Sequence, residues 1–170
     1  MKKIKAGIIG GAGYTGGELI RLLLLHPDAE IGFVQSSSNS GKHLYQVHAD
    51  LLGETDTVFS YEINDEVDVI FLCVGHGEAR KYLEQHQIPD QIKLIDLSHD
   101  FRIASKSKIG DRNFVYGLPE INREQIKEAE NIANPGCFAT AIQLGLLPLA
   151  GMLDRVFTTG ITGSTGAGQS

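Results

Sequence analysis

Tryptophan is absent from this 170-residue chain, and methionine and cysteine occur twice each. The two cysteines, Cys73 and Cys137, are too few for a disulfide framework and suit a reducing cytosol. Basic residues are also in short supply. Fifteen Lys and Arg stand against 21 Asp and Glu, a formal net charge of −6, with no Lys/Arg-rich block, which argues against broad nucleic-acid binding. No window approaches the roughly 18 apolar residues of a membrane span. The basic start Met1-Lys2-Lys3-Ile4 leads into an apolar run that breaks at Gly10-Gly11, as a first strand does and a signal peptide does not. No metal-ligand spacing surrounds His48 and Asp50, which read as solvated loop residues. These absences point to a cytoplasmic protein that binds neither nucleic acid nor membrane.

What the chain does have is 42% hydrophobic residues, enough for a core, and 20 glycines. Lys5-Ala6-Gly7-Ile8-Ile9 reads as a short buried strand. Gly11-Ala12-Gly13-Tyr14-Thr15-Gly16 follows at once in the pattern G-x-G-x-x-G, and a helix former runs from Glu18 to Leu25, stopped by His26-Pro27. In that order of strand, turn and helix, the glycines let the backbone approach a dinucleotide pyrophosphate seated on the helix N-terminus. The alternative is a glycine-rich turn with no ligand. Glu30-Ile31-Gly32-Phe33-Val34 is the second strand. An NAD site places an acidic residue near its end, roughly 20 residues past the glycines, for the ribose 2′-OH. Here Ser36, Ser37, Ser38 and Lys42 stand in a stretch without a carboxylate, which favours NADP and its 2′-phosphate.

Positions 44–61 are weakly patterned, with a short helix and an edge strand expected. Val67 to Val74 is a continuous apolar strand, as at the centre of a parallel sheet. It contains Cys73, expected to be an inert core thiol, and ends at Gly75-His76-Gly77, where His76 is expected to face the cofactor. Glu78 to Gln85 is a crossover helix. Ile92 to Leu97 is another buried strand, running into Ser98-His99-Asp100-Phe101-Arg102. Arg102 is placed to clamp a phosphate or carboxylate of the substrate, or to pair with Asp96 or Asp100. Lys106, Lys108 and Arg112 read as a solvated, mobile segment. Tyr116-Gly117-Leu118-Pro119-Glu120 is a rigid turn, positions 122–130 a charged helix, and Asn131-Ile132-Ala133 a short strand. The alternation of strands and helices predicts an α/β fold, a Rossmann-like doubly wound parallel sheet.

That last strand delivers Asn134-Pro135-Gly136-Cys137-Phe138-Ala139-Thr140, followed by a helix-like apolar run over 141–147. The thiol therefore sits at or just before a helix N-terminus, where unpaired N–H groups and the helix dipole favour the thiolate. A thiolate is the nucleophile that takes an acyl group as a thioester, and a buried core thiol is the alternative. Gly151 looks like the helix stop, and 156–161 like a further strand. A chain ending on the Gly/Ser run Gly163-Ser164-Thr165-Gly166-Ala167-Gly168-Gln169-Ser170 reads as a piece of a longer protein.

Taken together, Gly10 to Leu19, Asp96 to Arg102, Tyr116 to Glu120, Asn134 to Cys137 and Gly163 to Gly168 resemble N-acetyl-gamma-glutamyl-phosphate reductase of arginine biosynthesis, in that family's order. The resemblance implies an NADP-binding Rossmann domain over 1–137 and the start of an α+β catalytic and dimerisation domain over 138–170, in a homo-oligomer. It implies reduction of an acyl phosphate to an aldehyde, with Cys137 as the nucleophile, Arg102 and Asn134 toward the substrate, and Gly166 in a loop near the nicotinamide. It also implies that the acid/base histidine lies beyond Ser170, so that this stretch alone does not turn over. Phe138-Ala139 departs from the family's usual Tyr-Pro, and the loop after the second strand lacks its usual arginine. Aspartate-semialdehyde dehydrogenase, with the same chemistry on a shorter substrate, is the nearest rival. A non-catalytic nucleotide-binding module is the rival of another class.

Overall fold

The computed structural model describes residues 2–163. Among them the chain forms β1 (Ile4–Ile9), α1 (Tyr14–Leu24), β2 (Ala29–Gln35), β3 (Val69–Leu72), α2 (Glu78–Gln85), β4 (Lys93–Asp96), β5 (Lys108–Ile109), β6 (Arg112–Tyr116), α3 (Pro119–Glu128), β7 (Asn131–Ala133) and α4 (Cys137–Leu146). The seven strands make one sheet in the order β2-β1-β3-β4-β7-β6-β5, parallel except for the short β5–β6 hairpin. The expected doubly wound α/β sheet is therefore observed.

The chain leaves β1 toward β2, then returns to place β3 on the other side of β1. A second reversal follows: β6 is laid down one slot beyond β4, and β7 comes back through α3 to fill the gap. At both reversals the loops leaving the strand C-termini splay apart, and such crevices are where open α/β sheets hold ligands.

Both faces of the sheet are apolar because parallel strands are covered on both sides. On one face, Ile9, Ile70, Leu72, Leu94 and Ala133 pack with Ala79 of α2 and with Phe101 and Phe114. On the other, Ala6, Ile8 and Val34 meet Ile20 and Leu23 of α1, with Leu44, Leu51 and Phe59 from the connection after β2. Burial of each Val, Leu, Ile or Phe side chain among them contributes about 1.5–3 kcal/mol. The helices present matching stripes: Gly16, Gly17, Ile20 and Leu23 in α1, and Ala79 with Tyr82 and Leu83 in α2.

Four local expectations are corrected. Positions 44–61 form two single-turn 3-10 helices, Leu44–Gln46 and Ala49–Leu51, and an edge reduced to isolated bridges, Gln35 to Ser60 and His43 to Val58. The stretch around Lys106, Lys108 and Arg112 is pinned. The Arg80 guanidinium lies 4.6 Å over the Phe101 ring and donates to the carbonyls of Lys106 and Lys108. Arg112 opens β6 and donates to the carbonyls of Ile88, Pro89 and Ile92 and to Asn131 Oδ1. The turn at Tyr116 to Glu120 runs directly into α3, with Pro119 in its first turn and a kink at Asn122, whose amide donates to the Tyr116 carbonyl. Finally, 156–161 forms no strand and is exposed. Its apolar residues meet no neighbouring strand among the described residues, so the pattern is not expressed as a ladder.

Candidate active site

Every strand C-terminus except that of β5 opens on one edge of the sheet, and the sequence motifs collect there. The glycine turn joins β1 to α1. Gly10 N–H and Gly11 N–H both donate to the Gln35 carbonyl, and Gly13 N–H donates to the Gly10 carbonyl, so the turn lies flat against the end of β2. Gly10 has φ +81°, and a Cβ there would meet the Cys73 carbonyl oxygen at 2.6 Å. At Gly11 a Cβ would meet Val34 Cγ1 at 2.1 Å, and at Gly16 it would meet Gly11 Cα at 2.6 Å. At Gly13 the nearest atom would be 3.6 Å away, the Gly10 carbonyl oxygen, so that residue is bare on its outer side.

Tyr14 and Thr15 follow as the exposed first residues of α1, which carries no side-chain cap and no acidic residue in its first turn. The positive end of the helix dipole is thus unneutralised by its own side chains. Ala12 borders this end, half-buried. A cleft of about 450 Å³ lies beside the turn, lined by Gly10, Val74, Gly75, Glu78, Lys81 and Tyr82. Bare glycine, uncapped helix start and adjoining cleft all suit a dinucleotide pyrophosphate.

The connection after β2 holds the second group. Ser36 is buried, while Ser37, Ser38 and Lys42 are exposed. Asn39, whose role no motif announces, ties them together. Its amide nitrogen is 3.4 Å from Ser36 Oγ and 3.2 Å from Ser38 Oγ, and its oxygen accepts from Lys42 Nζ at 3.0 Å. The Ser37 hydroxyl accepts from Gln35. Hydroxyls and an ammonium with no carboxylate among them suit a phosphate.

His76 leaves β3 on the same edge. Its Nδ1 accepts from the His99 backbone N–H at 3.2 Å, and the two rings lie 4.4 Å apart. Asp100 holds the two loops together, accepting from Gly77 N–H at 2.7 Å and Arg80 N–H at 3.0 Å. Burial alone would raise the Asp100 carboxyl. The N–H groups of Arg80 and Gly77, with His99 and Ser98, outweigh that and hold it below its ordinary value. Asp96 is fully buried under the same loop and bonded twice to Ser98, and its carboxyl is pushed up by burial.

The cysteine turn stands at the second reversal. Asn134 N–H donates to the Asp96 carbonyl, binding the turn to β4. Gly136 is the N-cap of α4 and Cys137 its first residue, exposed, with no acidic residue in the first turn. The Thr140 hydroxyl and N–H both return to the Gly136 carbonyl. Arg102 reaches across from the loop after β4. Its Nε donates to the Asn134 carbonyl at 2.7 Å and its Nη2 to the Leu97 carbonyl at 2.9 Å. A Cβ at Gly136 would meet Arg102 Nη1 at 2.8 Å, so glycine there is what lets the guanidinium lie beside the thiol turn. Arg102 is thus bound to backbone carbonyls, and no ion pair with Asp96 or Asp100 is formed. The Asn134 side chain donates to the Pro135 carbonyl.

Cys73, by contrast, is buried, and burial with the nearby Asp96 pushes its thiol up to about 12. Gly166 lies outside the described residues. The reading of His48 as solvated is corrected: its Nε2 bonds the Gly11 carbonyl at 2.8 Å, a contact spanning 37 positions that spacing does not reveal. Asp50 is exposed but paired with Arg21 at 2.6 Å, which holds its carboxyl low, at about 2.

The model of the family described as "Semialdehyde dehydrogenase, NAD binding domain" matches residues 5–129. N-acetyl-gamma-glutamyl-phosphate reductase of Phocaeicola vulgatus is 56% identical over 169 residues, covering 97% of this chain and 51% of that protein. The enzyme of the same name from Christiangramia forsetii is 54% identical over 170 residues, covering 98% and 52%. The chain thus spans about half the length of the curated relatives it matches. Among solved structures, aspartate semialdehyde dehydrogenase with NADP from Candida albicans superposes with a TM-score of 0.62 at 20% identity, over 87% of this chain and 47% of that one. At that identity the likeness speaks for the fold.

Proposed function

Because the chain belongs to the semialdehyde dehydrogenase family, of which it carries the NAD-binding domain, we propose that it is the cofactor-binding part of an NADP-dependent reductase converting N-acetyl-glutamyl 5-phosphate to the 5-semialdehyde in arginine biosynthesis. The observation that carries this reading is Cys137 exposed as the first residue of α4, on the same sheet edge as the glycine turn. The names of the relatives support the substrate.

In this reading 1–137 is the cofactor domain. Residues 138–170 begin the catalytic and dimerisation domain of a cytoplasmic homo-oligomer, and that domain covers the exposed apolar Phe138, Ile142 and Leu144 of α4. Gly11 to Gly16 lie along the pyrophosphate, and Ser36 to Ser38 with Lys42 take the 2′-phosphate. His76 borders the nicotinamide. Arg102, with Nη1 beside Gly136, and Asn134 orient the acyl phosphate.

The Cys137 thiolate attacks the acyl carbonyl. The tetrahedral adduct expels inorganic phosphate and leaves a thioester, and N–H groups at the start of α4 stabilise the oxyanion. The bound cofactor supplies the hydride that reduces the thioester. With one proton the hemithioacetal results, which breaks to aldehyde and free Cys137. The thioester keeps the acyl carbon covalently held as a good hydride acceptor, which a free carboxylate is not.

Calorimetric titration with NADPH and NADH tests the cofactor site. The expected result is at least tenfold tighter binding of NADPH, and equal affinities overturn the 2′-phosphate assignment. In the full-length enzyme Cys137→Ser is expected to abolish reduction of N-acetyl-glutamyl phosphate while leaving NADPH affinity unchanged. Turnover at the wild-type rate overturns the thioester. Comparing that substrate with aspartyl phosphate separates the two acyl-phosphate reductases.

A further inference from the structure

We propose that His48 is a positioning residue for the cofactor, aiming a backbone N–H of the glycine turn at the pyrophosphate. The inference rests on the cofactor reading above and concerns a residue far from the turn in sequence.

The N–H groups of Gly10, Gly11 and Gly13 are all committed to the protein's own carbonyls. Ala12 N–H has no partner among the described residues. It is therefore the N–H of the turn left open to solvent or to a ligand. Its direction is not free, because Gly11 C=O and Ala12 N–H belong to one planar trans peptide group and point opposite ways. Whatever fixes the Gly11 carbonyl therefore aims the Ala12 N–H.

His48 fixes it. An amide carbonyl can only accept, so at 2.8 Å the His48 Nε2 carries the hydrogen. The ring is itself held. His48 N–H donates to the Leu44 carbonyl, and its own carbonyl accepts from Leu51, between two side chains buried in the core. The ring faces Phe59, centroids 6.4 Å apart. The helix makes room for it at one position: a Cβ on Gly17 would meet His48 Cε1 at 2.6 Å. Gly17 lies outside the G-x-G-x-x-G pattern and is accounted for by the imidazole. With the carbonyl drawn inward to His48, the Ala12 N–H turns outward, next to the bare side of Gly13.

The test compares His48→Gln, whose amide nitrogen reaches about as far as Nε2, with His48→Leu and His48→Asn, which offer no donor there. Each is titrated with NADPH and with adenosine 2′-monophosphate, which carries the 2′-phosphate and lacks a pyrophosphate. His48→Leu and His48→Asn are expected to bind NADPH about tenfold more weakly, the scale of one directed hydrogen bond. His48→Gln is expected to stay within about threefold of wild type, and binding of the monophosphate to be unchanged throughout. Wild-type NADPH affinity in folded His48→Leu or His48→Asn overturns the inference. So does an equal loss for both ligands, or a loss in His48→Gln as large as in His48→Asn. Should wild type itself not bind NADPH, the cofactor reading falls and this inference with it. The inference alone fails where wild type binds and the variants bind as well.

Discussion

A single methyl group separates glycines that look interchangeable in the motif. At Gly16 an added Cβ would strike backbone, Gly11 Cα at 2.6 Å and the Gly10 carbonyl oxygen at 2.7 Å, and backbone cannot rotate away. Gly16→Ala is expected to cost about 1–3 kcal/mol, the scale of overpacking, read as a fall in the urea midpoint. At Gly13 the methyl meets nothing closer than the Gly10 carbonyl oxygen at 3.6 Å, an ordinary van der Waals contact. Gly13→Ala is expected to leave stability within about 0.5 kcal/mol and to weaken NADPH at least tenfold. Reversed phenotypes would reassign the two positions. The motif was legible because strand, glycines and helix are adjacent in the chain. His48 and Asn39 were not: their roles lie in hydrogen bonds, and for His48 the partner is 37 positions away. Arg102 was legible as a cation near the site, whereas its anchorage on two carbonyls depends on how the loops after β4 and β7 meet.

At the scale of elements, α2 begins without a cap of its own. Its N-cap is Gly77, at φ +85°, and the missing carboxylate comes from Asp100, on the loop after β4. Asp100→Asn is expected to destabilise by about 1–3 kcal/mol at pH 7, since the amide NH₂ faces an N–H donor. The pH dependence follows from the lowered carboxyl. A group whose pKa falls on folding contributes fully above its unfolded value of about 3.9 and loses that contribution as pH drops through the folded value. The gap between wild type and Asp100→Asn, measured by urea unfolding, is therefore expected to be constant from pH 7 to about 5 and to shrink below pH 4. A gap that widened in acid would contradict the capping role. The limits of α2 were legible because they fall at Gly77 and at the end of an apolar spacing. The β5–β6 hairpin was not, because Lys108 to Asn113 carries charge and glycine where a strand signal is sought. What makes it a strand is Arg112 bonding carbonyls beyond the sheet.

Across the whole molecule the two thiols report on one folded state. Cys73 is buried with its thiol pushed up to about 12, and Cys137 is exposed. A thiolate-selective alkylating reagent at pH 8 is expected to modify one thiol per folded chain, with the second reacting only after unfolding. Cys137→Ser is expected to remove the fast reaction, and mass spectrometry reads both. Two fast thiols would mean that the sheet does not close over Cys73. The doubly wound architecture was legible from the order of apolar runs, but the order of the strands across the sheet was not, because nothing local says that β7 lies inside β6.

That inserted strand has a consequence for biogenesis. The chain is made from its N-terminus, and β4 and β6 exist before β7 does. β6 pairs with β7 and not with β4, so it joins the parallel sheet only through Asn131–Ala133. Closing the sheet and raising Cys137 to the surface are therefore one event. The nascent polypeptide presents its exposed thiol only as its last internal edge disappears.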